Sequence, residues 1–407
     1  MTIKAAWIRY GILIFFTSGL LIQSCSKADK PIPEDHTGGT GQPPGTGGTS
    51  DVPSLPLMLY DYVHTSVEMP SYIFNIINTT TDMDNTPGGN AITNEGATLG
   101  RVLFYDKKLS INNTISCASC HHQDKAFTDG TTRSKGFGGQ LTRRNAMSTV
   151  NLRFFMAKKM FWDMRAGNLE QQTLMPVLDK VEMGMPSLTV LEEKLSKVSY
   201  YPELFRAAFG TTQVTSERIS RALSQFLRSI VSFRSRYDEG MRNNFADFTP
   251  EEIRGKRFVT GLHCAECHSD LNHIFPNGGM APMLPAENSG LNDKNFGSNN
   301  GLELNYTDKG IGEITGKDID QGTFKMPSLR NIELTAPYMH DGRFATLEEV
   351  INHYAGNVKN GPNTGGQLPP HGFTFSDQDK KDIIAFLRTL TDRKLTADPR
   401  YADPFVK

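Results

Sequence analysis

Five cysteines in 407 residues are too few for a disulfide-stapled scaffold, and neither sign of charge is in excess. With 43 Lys and Arg against 44 Asp and Glu, the formal net charge is -1. That balance offers no electrostatic reason for a nucleic acid or an anionic membrane surface as partner, so any charged docking patch must be local. No apolar run is long enough for a confident transmembrane span. Alternating strand patterns are scarce, and histidine is absent from the whole stretch between His122 and His263. What is present, with 38% hydrophobic residues, is the composition of a globular protein long enough for two domains of ordinary size.

All five cysteines find a role without a disulfide. Cys25 closes a leader in which Lys4 and Arg9 precede an apolar stretch from Tyr10 to Ile22, the order of a secretory signal. Leu21-Ile22-Gln23-Ser24-Cys25 resembles a bacterial lipobox, which would make residues 1–24 a signal peptide and Cys25 a lipidated anchor on the periplasmic side of a membrane. The alternative is an ordinary signal peptide with an incidental cysteine. Residues 25–54 are rich in Gly, Pro and Thr and cannot repay their ordering entropy by burial, so they are expected to form a flexible spacer.

From Leu55 onward, helix signals dominate and the chain is expected to be mainly α with long loops. Thr249-Pro250-Glu251-Glu252, Thr346 with Glu349, and Ser376 with Asp379 are helix-start signals. The stretches Leu188 to Phe209 and Ser216 to Phe233 read as amphipathic helices. Comparable material surrounds two short cysteine motifs, which suggests two cytochrome c-like domains, 55–245 and 246–396, with a boundary near Phe245.

Those motifs carry the chemistry. Cys117-Ala118-Ser119-Cys120-His121 and Cys264-Ala265-Glu266-Cys267-His268 have the spacing that joins both vinyl groups of a haem by thioethers and sets the next imidazole beneath the iron. A single CxxC could also bind zinc or act as a redox dithiol. Two copies of CxxCH point to two covalently bound c-type haems with His121 and His268 as proximal ligands, leaving His122 and His263 as ordinary polar residues. A haem with two strong axial ligands transfers electrons, whereas one with a vacant face activates peroxide, so the opposite faces decide function.

The sequence resembles the bacterial dihaem cytochrome c peroxidase and MauG superfamily. The resemblance runs through Gly100-Arg101-Val102-Leu103-Phe104-Tyr105-Asp106, Arg144-Asn145-Ala146, Phe161-Trp162-Asp163-Met164-Arg165-Ala166, Val181-Glu182-Met183, Pro327-Ser328-Leu329-Arg330-Asn331 and Leu334-Thr335-Ala336-Pro337-Tyr338-Met339-His340-Asp341-Gly342, beside both haem motifs. Ordered motifs over about 250 residues make it specific. It implies that Glu182 is the distal acid-base carboxylate, Gln172 the distal glutamine, and Trp162 the bridge for electrons between the haems. It also implies that Asn145, Thr335 and Pro337 hold a calcium ion. Read without it, Glu182 is a solvated helix-end charge, Trp162 is core packing and Asn145 makes loop hydrogen bonds.

Two positions depart from the peroxidase pattern. Phe137 stands in Lys135-Gly136-Phe137-Gly138-Gly139 where many of these peroxidases carry a histidine that caps the first iron, so that face is expected to be open without prior reduction. Tyr354 stands where peroxidases place a methionine on the second iron, as in MauG-like proteins. His353 and Met339 are rival ligands, and Leu347, Val350, Ile351 and Tyr354 also suit one buried helical face. The expectation is a peroxidase that reduces hydrogen peroxide with electrons from a small cytochrome c or cupredoxin. A MauG-like oxidase acting on side chains of a partner protein, and a non-catalytic electron carrier, are the alternatives.

Overall fold

The computed structural model describes residues 50–63, 84–155, 158–261, 264–268, 297–366 and 368–406. The leader, Cys25, His263 and most of the spacer lie outside them. Among the described residues no helix is long and apolar enough to cross a membrane.

The expected mainly α character is what the chain shows. Its helices are α1 (Asn94–Tyr105), α2 (Leu169–Leu178), α3 (Leu188–Ser196), α4 (Tyr201–Phe209), α5 (Ser216–Ser229), α6 (Arg236–Asn243), α7 (Pro250–Gly261), α8 (Cys264–His268), α9 (Ile311–Thr315), α10 (Leu347–Tyr354) and α11 (Asp377–Thr389). Two short strands, β1 (Gly297–Ser298) and β2 (Phe324–Lys325), pair antiparallel with Gly297 opposite Lys325. The start signals of α7, α10 and α11 are reciprocal capping boxes: Thr249 with Glu252, Thr346 with Glu349 and Ser376 with Asp379. Each satisfies two of the N–H groups that a helix start leaves without intrahelical partners.

Two expected helices are shorter than their apolar periodicity. Leu188 to Phe209 is split into α3 and α4, because Pro202 cannot donate to a continuing ladder and is suited to a first turn instead. α5 stops at Ser229, short of Phe233. There the Ile230 carbonyl accepts from the Asn151 N–H at 2.9 Å, and the Ser232 N–H donates to Asn151 Oδ1 at 2.9 Å, which draws the chain out of the helix.

Two apolar clusters form the core. One gathers α1 to α5; the other gathers α6, α7, α10 and α11. The change from one to the other falls between Ile230 and Tyr237. The chain end also crosses over: Leu395, Tyr401 and Phe405 belong to the first cluster, and Tyr401 donates its hydroxyl to the Ser229 carbonyl at 2.6 Å. Ser50 and Ser54 donate backbone N–H groups to the carbonyls of Phe405 and Pro404, so ordered pairing begins before the expected start at Leu55.

Each cluster is organised by a helix crossing at a glycine. A Cβ on Gly100 of α1 would lie 2.0 Å from the Ala222 carbonyl oxygen and 2.7 Å from Phe226 Cβ, both on α5. A Cβ on Gly255 of α7 would lie 1.9 Å from the Asp382 carbonyl oxygen and 2.8 Å from Phe386 Cβ, both on α11. The partners have the same four-residue spacing in both cases, so the two halves solve one packing problem in the same way. α6 is fixed to the segment after β2 by a buried bidentate pair, Arg330 to Asp238, with both contacts at 2.8 Å.

Gly255→Ala tests the crossing. In an ordinary helix interior this change gains about 1 kcal/mol. Here the backbone contact is expected to reverse the sign, with a net loss of about 1–3 kcal/mol as in an overpacked core. Denaturant unfolding of the holoprotein measures it, and a gain in stability would show that the helices do not meet at this glycine.

Candidate functional site

The first motif begins in a single tight turn, Cys117–Ser119, capped by Ser116. It leaves Cys117, Cys120 and His121 on the wall of one cavity. His121 Nδ1 lies 2.8 Å from the Phe127 carbonyl, which can only accept, so the proton is on Nδ1 and Nε2 is left with its lone pair. Burial lowers the imidazole's pKa and favours the neutral form a metal requires. His122 is turned back on its own loop, with Nε2 3.1 Å from the Ser119 carbonyl.

Phe104 of α1 and Leu223 and Leu227 of α5 give the cavity an apolar lining. Gln172 of α2 and Glu182 both line this cavity. α2 is held in place by Arg228, which contacts the two oxygens of Glu170 at 2.6 and 3.0 Å, and by Ser220, which donates to the Glu170 carbonyl. Glu182 follows α2 in a turn whose N–H groups at 181 and 182 donate to Asp179 Oδ1. Burial, with the Asp179 charge adding to it and Arg165 opposing, pushes the Glu182 carboxyl up to about 7. A shift of this kind comes from burial, which weighs against a solvated helix-end charge.

Phe137 is the sequence's sharpest departure, and its ring does not line the cavity. Its N–H donates to the Glu182 carbonyl at 3.0 Å, and its ring lies against Gly184, where an added Cβ would sit 2.3 Å from Phe137 Cε1. From this loop only Gly136 reaches the cavity wall among the described residues.

The second motif forms α8. Cys264, Cys267 and His268 line a larger, separate cavity, and His268 Nδ1 lies 2.9 Å from the Pro327 carbonyl, repeating the tautomer logic of His121. Tyr354, Met339 and Trp162 line this cavity too. Burial raises the Tyr354 hydroxyl to about 12, opposed by a hydrogen bond with the Asn300 side chain. Asn300 Nδ2 also donates to Met339 Sδ at 3.2 Å. His353 is removed as a rival ligand: its Nε2 lies 2.8 Å from the Asn300 carbonyl and it does not line the cavity. Asn300 was not legible in the sequence, since it sits in an irregular loop with no motif around it.

Trp162 donates Nε1–H to the Asn145 carbonyl at 2.9 Å. Asn145, Thr335 and Pro337 all line the second cavity. Asn145 Nδ2 donates to the Thr131 carbonyl at 2.8 Å, which directs the amide's donor side away and leaves Oδ1 as its acceptor.

The residues fit covalent haem better than zinc or a redox dithiol. Burial raises the Cys117 thiol to about 12 and Cys120 and Cys264 to about 11, the reverse of an activated dithiol. Among the described residues the only metal-like grouping of His, Cys, Asp and Glu is Glu303, His340 and Asp341, which includes none of the motif cysteines. There the Arg343 guanidinium already bridges the two carboxylates at 2.9 and 2.5 Å.

Residues 94–246 match the family model described as di-haem cytochrome c peroxidase. The chain is 32% identical over 306 residues to methylamine utilization protein MauG of Methylorubrum extorquens, covering 75% of this chain and 80% of that one. It is 33% identical over 304 residues to cytochrome c551 peroxidase of Nitrosomonas europaea, covering 74% and 82%. A solved MauG-like protein associated with microbial copper homeostasis superposes with a TM-score of 0.65 at 35% identity, covering 79% of this chain and 96% of that one.

Two substitutions test the geometry. Glu182→Gln is expected to slow the reaction with peroxide by about 10²–10⁴-fold, the range for a lost general acid-base. The native rate should rise with pH through about 7, where the carboxylate form is gained, and the variant should lose that inflection. Stopped-flow mixing reads both, and an unchanged rate would remove Glu182 from the chemistry. Tyr354→Phe should alter the absorption and resonance spectra of the second haem alone; unaltered spectra would assign the residue to packing and leave Met339 as the ligand.

Proposed function

Because the chain belongs to the dihaem cytochrome c peroxidase family, which includes MauG, we propose that it reduces hydrogen peroxide to water with electrons from a small one-electron donor such as a cytochrome c or a cupredoxin. The observation that carries this reading is the placement of Glu182 and Gln172 on the wall of the cavity that also holds His121, with burial raising the Glu182 carboxyl and no side chain of residues 135–139 reaching in. Bound haem supplies the iron that polarises the peroxide and the ring system that passes electrons. Glu182 takes the proton from the inner peroxide oxygen and returns it to the outer one as the O–O bond breaks, and Gln172 orients the substrate through its amide. Two electrons and two further protons complete the conversion of one peroxide to two waters. A donor that delivers electrons singly is matched by a second haem, with Trp162 carrying electrons between the two sites.

A second reading is favoured by Tyr354. A phenolate ligand stabilises ferric iron and lowers the potential of the second haem, which suits a MauG-like oxidase drawing electrons from side chains of a partner protein. The non-catalytic carrier would need a strong second ligand at the iron held by His121; among the described residues Met183 lines that cavity, and its buried side chain belongs to the first apolar cluster.

Haem attachment is completed outside the cytoplasm, so the reading places the protein in the periplasm, tethered through lipid on Cys25. A calcium ion held by Asn145 Oδ1 and backbone oxygens of Thr335 and Pro337 would brace the second cavity. Mass spectrometry of the mature N-terminus and metal analysis of the purified protein check these two assignments. The activity is tested by mixing the ferric enzyme, without prior reduction, with peroxide and reduced cytochrome c. Sustained oxidation of the donor is expected. Absence of donor turnover under every reducing regime, with oxidation of a co-encoded partner protein instead, would establish the second reading in its place.

A further inference from the structure

The indole of Trp162 is held in a closed ring of two interactions. Its Nε1 donates to the Asn145 carbonyl at 2.9 Å. The residues next in sequence to that donor and acceptor, Asp163 and Arg144, are themselves joined by an ion pair through Arg144 Nη1 and Asp163 Oδ2. Neither end of the pair is loose, since the Arg144 and Asp163 side chains are only 9% and 5% exposed.

Arg144 is pinned from behind. Its Nε and Nη2 contact the two oxygens of Asp308 at 2.7 and 2.8 Å, a planar bidentate match that a lysine could not reproduce. Its guanidinium lies 5.6 Å from the centre of the Phe324 ring, which stacks on His340 at 3.8 Å. Phe324, His340, Asn145 and Trp162 all face the second haem cavity, while Arg144, Asp163 and Asp308 do not line it. On the other side Asp163 also takes Arg165 Nη1 at 3.0 Å, and Arg165 covers the Phe161 ring at 3.6 Å. The ionic layer therefore fixes the backbone on both sides of the indole and the loop that carries its acceptor, one layer behind the cavity wall.

We propose that Arg144 is a positioning residue for Trp162: anchored by Asp308, it holds Asp163 and so fixes the indole in the orientation through which single electrons pass between the two haem sites. The inference rests on the reading of Trp162 as the electron bridge. Transfer between fixed centres is sensitive to placement, so an ion pair that touches neither haem sets the rate of the step. The electron moved is the one delivered by the donor, and no atom is gained or lost in the step. Packing alone would make the same residues important for stability but not for the indole's hydrogen bond or for the transfer rate.

The experiment compares Arg144→Gln, Arg144→Lys and Trp162→Phe in the holoprotein. After half-reduction and rapid mixing with peroxide, the electron transfer between haems is followed separately from the initial reaction at the first haem. The indole N–H vibration is read by ultraviolet resonance Raman; once a leader containing Trp7 is removed, Trp162 is the sole tryptophan. Arg144→Gln is expected to leave the initial peroxide reaction unchanged, shift the indole band, and slow the transfer by roughly tenfold to a hundredfold, the scale on which a misplacement of about 1 Å acts. Arg144→Lys should restore part of the rate. If Trp162→Phe transfers at the native rate, the bridge reading fails and the clamp with it. If Trp162→Phe is slow but Arg144→Gln is native in rate and band, the clamp alone is overturned. Should Arg144→Gln not retain haem, Asp163→Asn, which removes the same pair, takes its place with the same two outcomes.

Discussion

Everything that the two cavities can do depends on one hydrogen bond made twice: an imidazole Nδ1–H given to a backbone carbonyl, Phe127 for His121 and Pro327 for His268. A free imidazole has two tautomers and a freely turning ring. Donating from Nδ1 selects one tautomer, fixes the ring plane and presents Nε2 to the cavity. The acceptors come from different distances along the chain: Phe127 lies in the motif's own loop, whereas Pro327 is brought from a segment beyond β2. The two halves share a ligand geometry without sharing the local chain that supports it.

Around that common element the cavities diverge electrostatically. The first is apolar on the α1 and α5 side and carries a single buried carboxyl on the other, a setting in which a proton is held or released near neutrality. The second carries a phenol and a thioether, both tied to Asn300, with an indole on its wall. On the proposed function, proton handling falls to the first and electron handling to the second. That division matches a reaction in which a two-electron substrate is served one electron at a time.

The halves are also joined more closely than a string of two domains would be. α6 packs with the second cluster, the chain end returns to the first, and Arg144 with Asp308 links the loop before Asn145 to the segment before α9. The apolar cores could each form around a glycine crossing, but these polar links decide how the walls of the second cavity are assembled from both halves.

The sequence by itself determined the cofactor, the helical class and the starts of α7, α10 and α11, because each is encoded by local spacing or by an ordered motif, and it singled out Gln172 and Glu182, which line one cavity. It also located Trp162 and Tyr354 without saying what they touch. Only the tertiary structure decided that His353 turns away, that Phe137 packs against Gly184, that Leu188 to Phe209 breaks in two, that Asn300 lines the second cavity and that Arg144 stands behind it. Those outcomes come from pairings between residues far apart in the chain, in which a carbonyl, a carboxylate or a neighbouring backbone competes for the side chain. Local spacing carries no record of that competition.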